Sequence, residues 1–177
     1  MSQIVVSMFL SLDGVMENPM WSLDYWNDDI AAFKNEELFA ADALLLGRVT
    51  YDGFVDSWPS RSGDPYTDRI NSMPKYVASK SLSQPVWNSS VIKDVVAEVT
   101  ERKRQTGGDL LVFGSGQLVE TLIRHDLVDR FNLLIYPIVL GTGKRLFESD
   151  VTAKLKLTES KAHDNGALQL VYEPIRQ

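Results

Sequence analysis

The sequence predicts one α/β domain, residues 1–177, with a mixed, mostly parallel central sheet, helices on both faces and a C-terminal antiparallel hairpin. Short apolar runs alternate with amphipathic segments along most of the chain, which is typical of a parallel sheet buried on both sides. Two period-two segments near the end flank Asp164-Asn165-Gly166, which is a hairpin signal. No internal repeat, linker or low-complexity stretch divides the chain, so a single domain is the simplest interpretation.

Composition narrows the class of function. The chain has 44% hydrophobic residues, a formal net charge of −6 and no cysteine. Its acidic surface repels phosphate backbones, so we expect no nucleic-acid partner. Without cysteine there are no disulfides, zinc–thiolate sites or cysteine nucleophiles, and two histidines do not suggest a metal site. There is no basic signal region, and no apolar run approaches the ~20 residues that span a membrane. We therefore expect a cytoplasmic protein that binds a small molecule.

The coarse element prediction follows from periodicity and turn residues. Predicted strands cover residues 4–10, 42–47, 75–79, 86–91, 110–113, 131–140, 155–161 and 167–172. Predicted helices cover residues 28–40, 50–57, 92–104 and 117–124, and residues 14–27 and 60–72 are predicted loops. Asp28-Asp29 is expected to cap the first helix, with Ile30, Phe33 and Leu38 on the buried side. Lys34, Glu36 and Glu37 are expected on the opposite, solvent side.

Two predicted strands end in glycine and lead directly into a helix, at Gly47 and at Gly114-Ser115-Gly116. Glycine permits a sharp turn and a close ligand approach, and a helix N-terminus offers free N–H groups to a phosphate. Two such turns would hold the two ends of one dinucleotide, although each alone is also a common plain turn. Neither is a Rossmann fingerprint, because Val119 stands where the third glycine would be.

Cationic side chains follow two of the predicted strands. Arg48 comes directly after Gly47, and it either forms a surface ion pair or binds a phosphate with its forked guanidinium. Ser79-Lys80-Ser81 follows the third strand in the same way. Two hydroxyls beside a lysine suit a 2′-phosphate, and a solvated strand end fits the same residues.

Two aspartates are the candidate catalytic acids. Asp13 precedes Gly14 in a pair that also favours a plain turn, and Asp29 lies at a helix start, where aspartate is a common N-cap. A carboxyl shielded by Trp21 and Trp26 would have a raised pKa and would donate a proton. Spacing alone leaves both interpretations of each aspartate open.

Six segments form an ordered set: Ser11-Leu12-Asp13-Gly14, the run 41–51, Pro74-Lys75-Tyr76-Val77-Ala78-Ser79, the run 108–116, Leu127-Val128-Asp129 and the run 137–143. In this order they resemble the reductase domain at the C-terminus of the bifunctional riboflavin-biosynthesis deaminase-reductase, the RibD C-terminal-like family of the dihydrofolate reductase superfamily. The resemblance covers nearly the whole chain. It implies a dihydrofolate-reductase-like three-layer fold and, as is common in the family, a homodimer.

The resemblance also implies an NADPH site. The implied cofactor-binding residues are Gly47, Arg48 and Thr50 for the phosphates, Ser79 and Lys80 for the adenosine 2′-phosphate, and Gly114, Ser115, Gly116, Gln117 and Leu118 for the pyrophosphate. The loop from Asp13 onward would cover the nicotinamide. A looser match to dihydrofolate reductase itself, over residues 14–21 and 29–34, would bring Asp29 to the substrate.

The implied activity is NADPH-dependent reduction, resembling 5-amino-6-(5-phosphoribosylamino)uracil reductase, with hydride transfer to a small heterocyclic or ribosylamino substrate. The sequence departs from the family at Ser115, where a second glycine is usual, and at Asp52, where glutamate is usual. The deaminase half is absent, which puts the riboflavin substrate in doubt. The alternatives are a dihydropterin or dihydrofolate-type reductase, or a non-catalytic NADP(H)- or pterin-binding protein.

Overall fold

A computed structural model describes residues 1–105, 107–148 and 150–176. Within these ranges, eight strands form one sheet. The strands are β1 (Ile4–Ser11), β2 (Ala41–Gly47), β3 (Lys75–Ala78), β4 (Ser89–Ile92), β5 (Asp109–Val112), β6 (Arg130–Tyr136), β7 (Leu155–Ala162) and β8 (Leu168–Pro174). Six segments are helical: a 3₁₀ helix (Pro19–Tyr25), α1 (Asp28–Ala40), α2 (Arg48–Ser57), α3 (Pro65–Ser72), α4 (Val95–Arg104) and α5 (Gly116–Arg124).

The strand order is β4-β3-β2-β5-β1-β6-β8-β7. Strands β4, β3, β2, β5, β1 and β6 are parallel neighbours, whereas β8 runs antiparallel to both β6 and β7. The predicted mostly parallel sheet and C-terminal hairpin are therefore confirmed. β6 ends at Tyr136, four residues before the predicted end, because Pro137 has no N–H to continue the ladder.

The sheet separates two helical layers, since successive side chains of a strand point to opposite faces. On one face, Val5 and Leu111 belong to the cluster that contains Leu38 of α1, Tyr51 of α2 and Ile70 of α3. On the other face, the members that pack together are Val6, Val112, Val99 of α4 and Leu118 and Leu122 of α5. This arrangement confirms the prediction of helices on both faces.

Several local predictions were wrong. The predicted loop 14–27 contains the 3₁₀ helix Pro19–Tyr25, which begins at a proline. Residues 60–72, predicted as a polar loop, contain α3, because the Asp64 side chain accepts a hydrogen bond from the Thr67 N–H at 2.9 Å and Pro65 opens the first turn. The cap of α1 is Asn27, whose side chain accepts from the Ile30 N–H at 2.8 Å, rather than Asp28 or Asp29. In the described part of the chain, no helix is long and apolar enough to cross a membrane.

Candidate cofactor and substrate site

The two glycine turns meet at the carboxyl edge of the sheet, because β2 and β5 are adjacent. The Gly47 N–H donates a hydrogen bond to the Gly114 carbonyl at 2.8 Å. A Cβ on Gly47 would lie 2.2 Å from the Ser115 Oγ and 2.6 Å from the Ser115 backbone nitrogen. Only glycine permits this approach, so the pairing of the turns depends on Gly47.

The second turn also requires glycine, since Gly114 has a φ of +125° and a Cβ there would lie 2.7 Å from the Thr50 Oγ1. Thr50, in the first turn of α2, therefore reaches the backbone of the other turn. The Gly114–Ser115 peptide is cis.

Two helix N-termini consequently lie side by side. α2 begins at Arg48 after Gly47, α5 begins at Gly116 after Ser115, and neither cap residue makes a side-chain capping bond. The first N–H groups of a helix lack intrahelical acceptors, and they carry the positive end of the helix dipole. The paired N-termini are thus suited to bind a phosphate or pyrophosphate.

The residues predicted around α5 contribute unequally to this edge. Gln117 is exposed, whereas Leu118 is 4% exposed and packs into the core, so Leu118 offers only its backbone. A Cβ on Gly116 would approach the Met16 sulfur at 3.1 Å, which places the loop after β1 against the start of α5.

Hydrogen bonds attach the loop after β1 to residues 144–145. Val15 pairs with Arg145 in an antiparallel bridge, the Met16 N–H donates to the Lys144 carbonyl at 2.8 Å, and the Glu17 carboxylate accepts from the Lys144 N–H at 3.1 Å. The segments 13–17 and 140–146 therefore cover the edge of the sheet as one unit.

Arg48 forms an ion pair with Asp52, one turn further along α2. Its Nε donates to both carboxylate oxygens at 2.9 Å, with the two side chains 40% and 54% exposed. An exposed pair of this spacing stabilises a helix by only about 0.3–0.5 kcal/mol. The bond uses Nε alone, so the ion pair holds the guanidinium at the turn without occupying its terminal nitrogens.

Ser79 and Lys80 directly follow β3, the strand next to β2. The Ser79 Oγ accepts from the backbone N–H groups of Ser81 and Leu82, at 3.2 and 3.1 Å, and Lys80 is exposed. With about 4.8 Å between strands, the ends of β3, β2 and β5 span roughly 10 Å. All ten predicted cofactor residues therefore follow three neighbouring strands at one edge.

Hydrogen bonds hold the Asp13 carboxylate in the turn that follows β1. It accepts hydrogen bonds from the Ser11 hydroxyl at 2.6 Å and from the N–H groups of Gly141 and Leu140 at 2.8 and 3.1 Å. These bonds, with that of Ser11 the largest cause, lower the pKa of Asp13 to about 2. A group ionised at neutral pH does not donate a proton, so the geometry does not support a role for Asp13 as the acid.

Asp29 faces solvent on α1. Its carboxylate pairs with Lys161 of β7 at 3.0 Å, and its side chain is 62% exposed. Trp26 is 49% exposed, and Trp21 packs edge-on against Tyr136 at 5.7 Å. The apolar shield expected around Asp29 is therefore not formed.

Sequence reasoning missed a row of aromatic side chains on the α1 face. Neighbouring ring centroids along the row lie 5.4–6.3 Å apart, except for a gap between Phe113 and Phe9. The aromatic row runs in the order Trp87, Phe54, Phe113, Phe9 and Tyr136, and at its end Trp21 and Tyr25 both pack against Tyr136. All except the buried Tyr136 are only partly buried, and Phe113 immediately precedes Gly114.

The gap in the aromatic row is filled by Lys34, whose Nζ lies 4.5 Å from the Phe113 centroid and 5.0 Å from that of Phe9. The Lys34 Nζ donates to the Ser7 Oγ at 2.7 Å and forms an ion pair with Glu37. Asn132 of β6 donates to the other Glu37 oxygen at 3.0 Å. The prediction that Lys34 and Glu37 face solvent was wrong, because partners on β1 and β6 compensate their burial.

Two surface depressions lie elsewhere. One, of about 320 Å³, is lined by residues that include Ile123, Phe131 and Ile175, and another, of about 210 Å³, is lined by residues that include Asp42 and Arg102. Both are at the amino-terminal edge of the parallel strands, whereas open α/β sheets bind ligands at the carboxyl edge. The glycine turns and the aromatic row therefore define the candidate site.

Comparison with known proteins identifies the family of the chain. The family model of the RibD C-terminal domain matches residues 2–169. The chain is 31% identical to the uncharacterized protein YyaP and 27% identical to the uncharacterized protein YwjB, both of Bacillus subtilis (strain 168). These alignments cover 96% and 95% of this chain and 94% and 95% of the two relatives.

Solved structures share the fold at low identity. A putative riboflavin biosynthesis protein from Shewanella sp. PV-4 has a TM-score of 0.71 at 21% identity, and covers 99% of this chain and 100% of its own. A pyrimidine reductase-like protein from Corynebacterium diphtheriae has a TM-score of 0.71 at 15% identity, and the match covers 99% of this chain and 93% of that protein. Dihydrofolate reductase from Enterococcus faecalis, complexed with NADP(H) and RAB-propyl, has a TM-score of 0.68 at 14% identity. This match covers 97% of this chain and 96% of the reductase. The dihydrofolate-reductase-like fold is confirmed, and the chain belongs to the RibD C-terminal domain family.

Proposed function

We propose that this protein is an NADPH-dependent reductase that delivers a hydride to a small heterocyclic or ribosylamino substrate, in the manner of 5-amino-6-(5-phosphoribosylamino)uracil reductase. The observation that carries the proposal is the pairing of two helix N-termini at Gly47 and Gly114, directly beside the aromatic row. A phosphate-binding edge next to stacking surfaces is what a dinucleotide and a planar substrate require together.

The residues present fit NADPH. The Cβ-free approach at Gly47 and the free N–H groups of α2 and α5 suit the pyrophosphate. Arg48, Ser79 and Lys80 provide the positive charge and hydroxyl that distinguish a 2′-phosphate from a hydroxyl. When bound, NADPH supplies the hydride, and the chain contributes position and exclusion of water.

The chain's own groups restrict how a proton is supplied. Asp13 is ionised and fully engaged by Ser11 and the backbone of Gly141, and Asp29 points to Lys161 at the surface. We therefore propose that a water molecule provides the proton. Segments 13–17 and 140–146 shield the reacting atoms from bulk solvent.

The relatives of known structure support a reductase rather than another activity on this fold. They include a putative riboflavin biosynthesis protein, a pyrimidine reductase-like protein and a dihydrofolate reductase with NADP(H). A dihydropterin substrate is less well matched by the geometry, because Asp29, the acid expected to contact a pterin, lies outside the aromatic row.

The test is nucleotide titration followed by tryptophan fluorescence, since the chain has four tryptophans. We expect NADPH to bind at least about tenfold more tightly than NADH, because a charge-assisted hydrogen bond contributes about 1.5–3 kcal/mol. Arg48→Ala and Lys80→Ala should each weaken NADPH binding more than NADH binding and so narrow the difference between the two nucleotides. Lys161→Ala, which removes an exposed lysine on β7, is the matched control.

Equal affinity for the two nucleotides, or no binding of either, would contradict the site assignment. Turnover is measured separately as NADPH oxidation with the ribosylaminopyrimidine phosphate and with dihydrofolate. Tight NADPH binding without oxidation of any reducible heterocycle would favour the non-catalytic binding protein instead.

A further inference from the structure

The Lys34 ammonium has one hydrogen-bond donor to spare. An ammonium carries three N–H groups, and here two of them are used by Ser7 and Glu37. In the described parts of the chain no third acceptor lies within hydrogen-bond distance, and the remaining contacts of Nζ are the Phe9 and Phe113 rings. The Lys34 side chain is only 5% exposed, so water reaches this donor poorly.

Both oxygens of Glu37, the carboxylate partner of Lys34, are already bonded within the protein. One Glu37 oxygen accepts from Ser7 at 2.7 Å and pairs with Lys34, and the other accepts from Asn132 at 3.0 Å. Glu37 therefore fixes the position of the ammonium and offers little to a ligand. The charge that remains available between the rings is positive.

Two further polar atoms on the same face lack partners. The Asn132 Oδ1 and the Tyr136 hydroxyl are buried without a hydrogen-bond partner in the described residues. In the β1–β6 register Asn132 is opposite Ser7 and Tyr136 opposite Ser11, so both side chains point to the α1 face. Buried polar atoms are nearly always hydrogen-bonded, so each of these groups marks a point on the α1 face where a polar ligand would complete the bonding.

The position of Lys34 suits a planar ligand. Phe113 precedes the phosphate-binding turn at Gly114, and Phe9 packs at 5.8 Å against Tyr136, so the ammonium lies at the middle of the aromatic row. The ammonium lies over the faces of both phenylalanine rings, so a flat ligand that enters the gap between the two rings would meet the third N–H with an in-plane acceptor at its edge.

We infer that Lys34 is the substrate-binding cation of this site, and that it selects a planar ring whose edge presents an acceptor, either a carbonyl or an anionic oxygen. This inference rests on the proposed reductase function, since it takes the aromatic row as the substrate site. A ring edge rich in amino donors, which an acidic residue would recognise, meets another donor here and finds no acceptor in the ammonium. Lys34, five residues after Asp29, therefore replaces it as the residue that determines specificity.

The test compares two matched pyrimidine probes, 6-aminouracil and 2,4-diaminopyrimidine, titrated by calorimetry into the full chain with and without NADP⁺. We expect 6-aminouracil to bind more tightly, and Lys34→Met to weaken it about 10- to 100-fold, since a charged hydrogen bond is lost. The variant should bind NADPH as the wild type does. Lys161→Met is the control for loss of a lysine outside the site.

Lys34→Met leaves the Glu37 charge buried, so the double variant Lys34→Met/Glu37→Gln, which removes both charges, keeps the test valid if the single variant unfolds. Tighter binding of 2,4-diaminopyrimidine, undetectable binding of 6-aminouracil, or unchanged 6-aminouracil affinity in a folded Lys34 variant would overturn the inference. Failure of NADPH binding in the wild type would instead overturn the proposed function, so the two failures are distinct.

Discussion

Replacing Gly47 by alanine tests whether the two turns must touch. The residue has φ −73° and ψ 161°, which alanine adopts without strain, so only the added methyl matters. That methyl would lie 2.6 Å from the Ser115 nitrogen, about 0.9 Å closer than an ordinary contact of about 3.5 Å. The backbone nitrogen cannot rotate away, so the turns must separate.

The expected cost follows from two terms. Overpacking of this kind costs about 1–3 kcal/mol, and weakening the bond from the Gly47 N–H to the Gly114 carbonyl costs about 1 kcal/mol. We therefore expect Gly47→Ala to lower the free energy of unfolding by about 2–4 kcal/mol. NADPH affinity should fall at least about tenfold, because the two N-termini no longer converge on one anion.

Gly53→Ala is the matched control. Gly53 lies within α2, a Cβ there would meet nothing within 4 Å, and alanine is favoured over glycine in a helix by about 1 kcal/mol. Urea unfolding followed by tryptophan fluorescence should therefore show the two alanine variants shifted in opposite directions. Adding Ser115→Gly to Gly47→Ala should restore part of the stability, since it removes the Oγ and Cβ contacts and leaves the backbone contact. If Gly47→Ala is as stable as Gly53→Ala, the argument for paired turns is refuted.

Two pH-dependent predictions follow from buried or constrained charges. Asp13→Asn should lower stability above about pH 4, because the interactions that lower the pKa of Asp13 stabilise the fold while its carboxylate is ionised. In urea unfolding, the stability difference between wild type and variant should shrink as the pH falls from 3.8 towards 2. A stability difference that does not change with pH would contradict this prediction. Lys75 is fully buried, and desolvation lowers its pKa from 10.5 to about 8. Between these two pH values the unfolded chain binds more protons than the folded chain, so stability should rise with pH. The rise is up to about 3 kcal/mol, at about 1.4 kcal/mol per pH unit. Its contact with the Trp87 ring at 3.9 Å offsets part of the burial cost below pH 8, and Lys75→Met, compared by urea unfolding at pH 7.5 and 10, should lack the rise; an equal rise in both proteins would exclude Lys75 as its cause.

The architecture and the two glycine turns could be predicted because both are encoded locally. A buried parallel strand is a short apolar run, and the glycine that ends it marks the turn, so Gly47 and Gly114 are identifiable from the amino-acid sequence alone. The sequence could not show that Gly47 needs to be glycine because of Ser115, since that contact joins residues 68 positions apart on adjacent strands. For α3 the capping signal at Asp64-Pro65 was present, and the polar composition of the segment concealed it.

The burial of charged residues on the α1 side of the proposed site was less predictable, for a reason that the spacing along α1 makes clear. Its buried positions are Ile30, Lys34, Glu37 and Leu38, which is the i, i+4, i+7, i+8 spacing of a core-facing stripe. Spacing alone predicts that Lys34 and Glu37 face the core, whereas their charge predicts that they face solvent. The cost of burying the two charges is offset by hydrogen bonds from Ser7 and Asn132, which lie on separate strands. The same geometry decides against Asp29. Five residues along an α-helix correspond to a rotation of about 140°, so a helix that buries Lys34 against β1 and β6 turns Asp29 away from them. No single rotation of α1 brings both groups to one ligand, and therefore the choice between an acid and a cation at the substrate follows from which stripe of α1 the sheet buries.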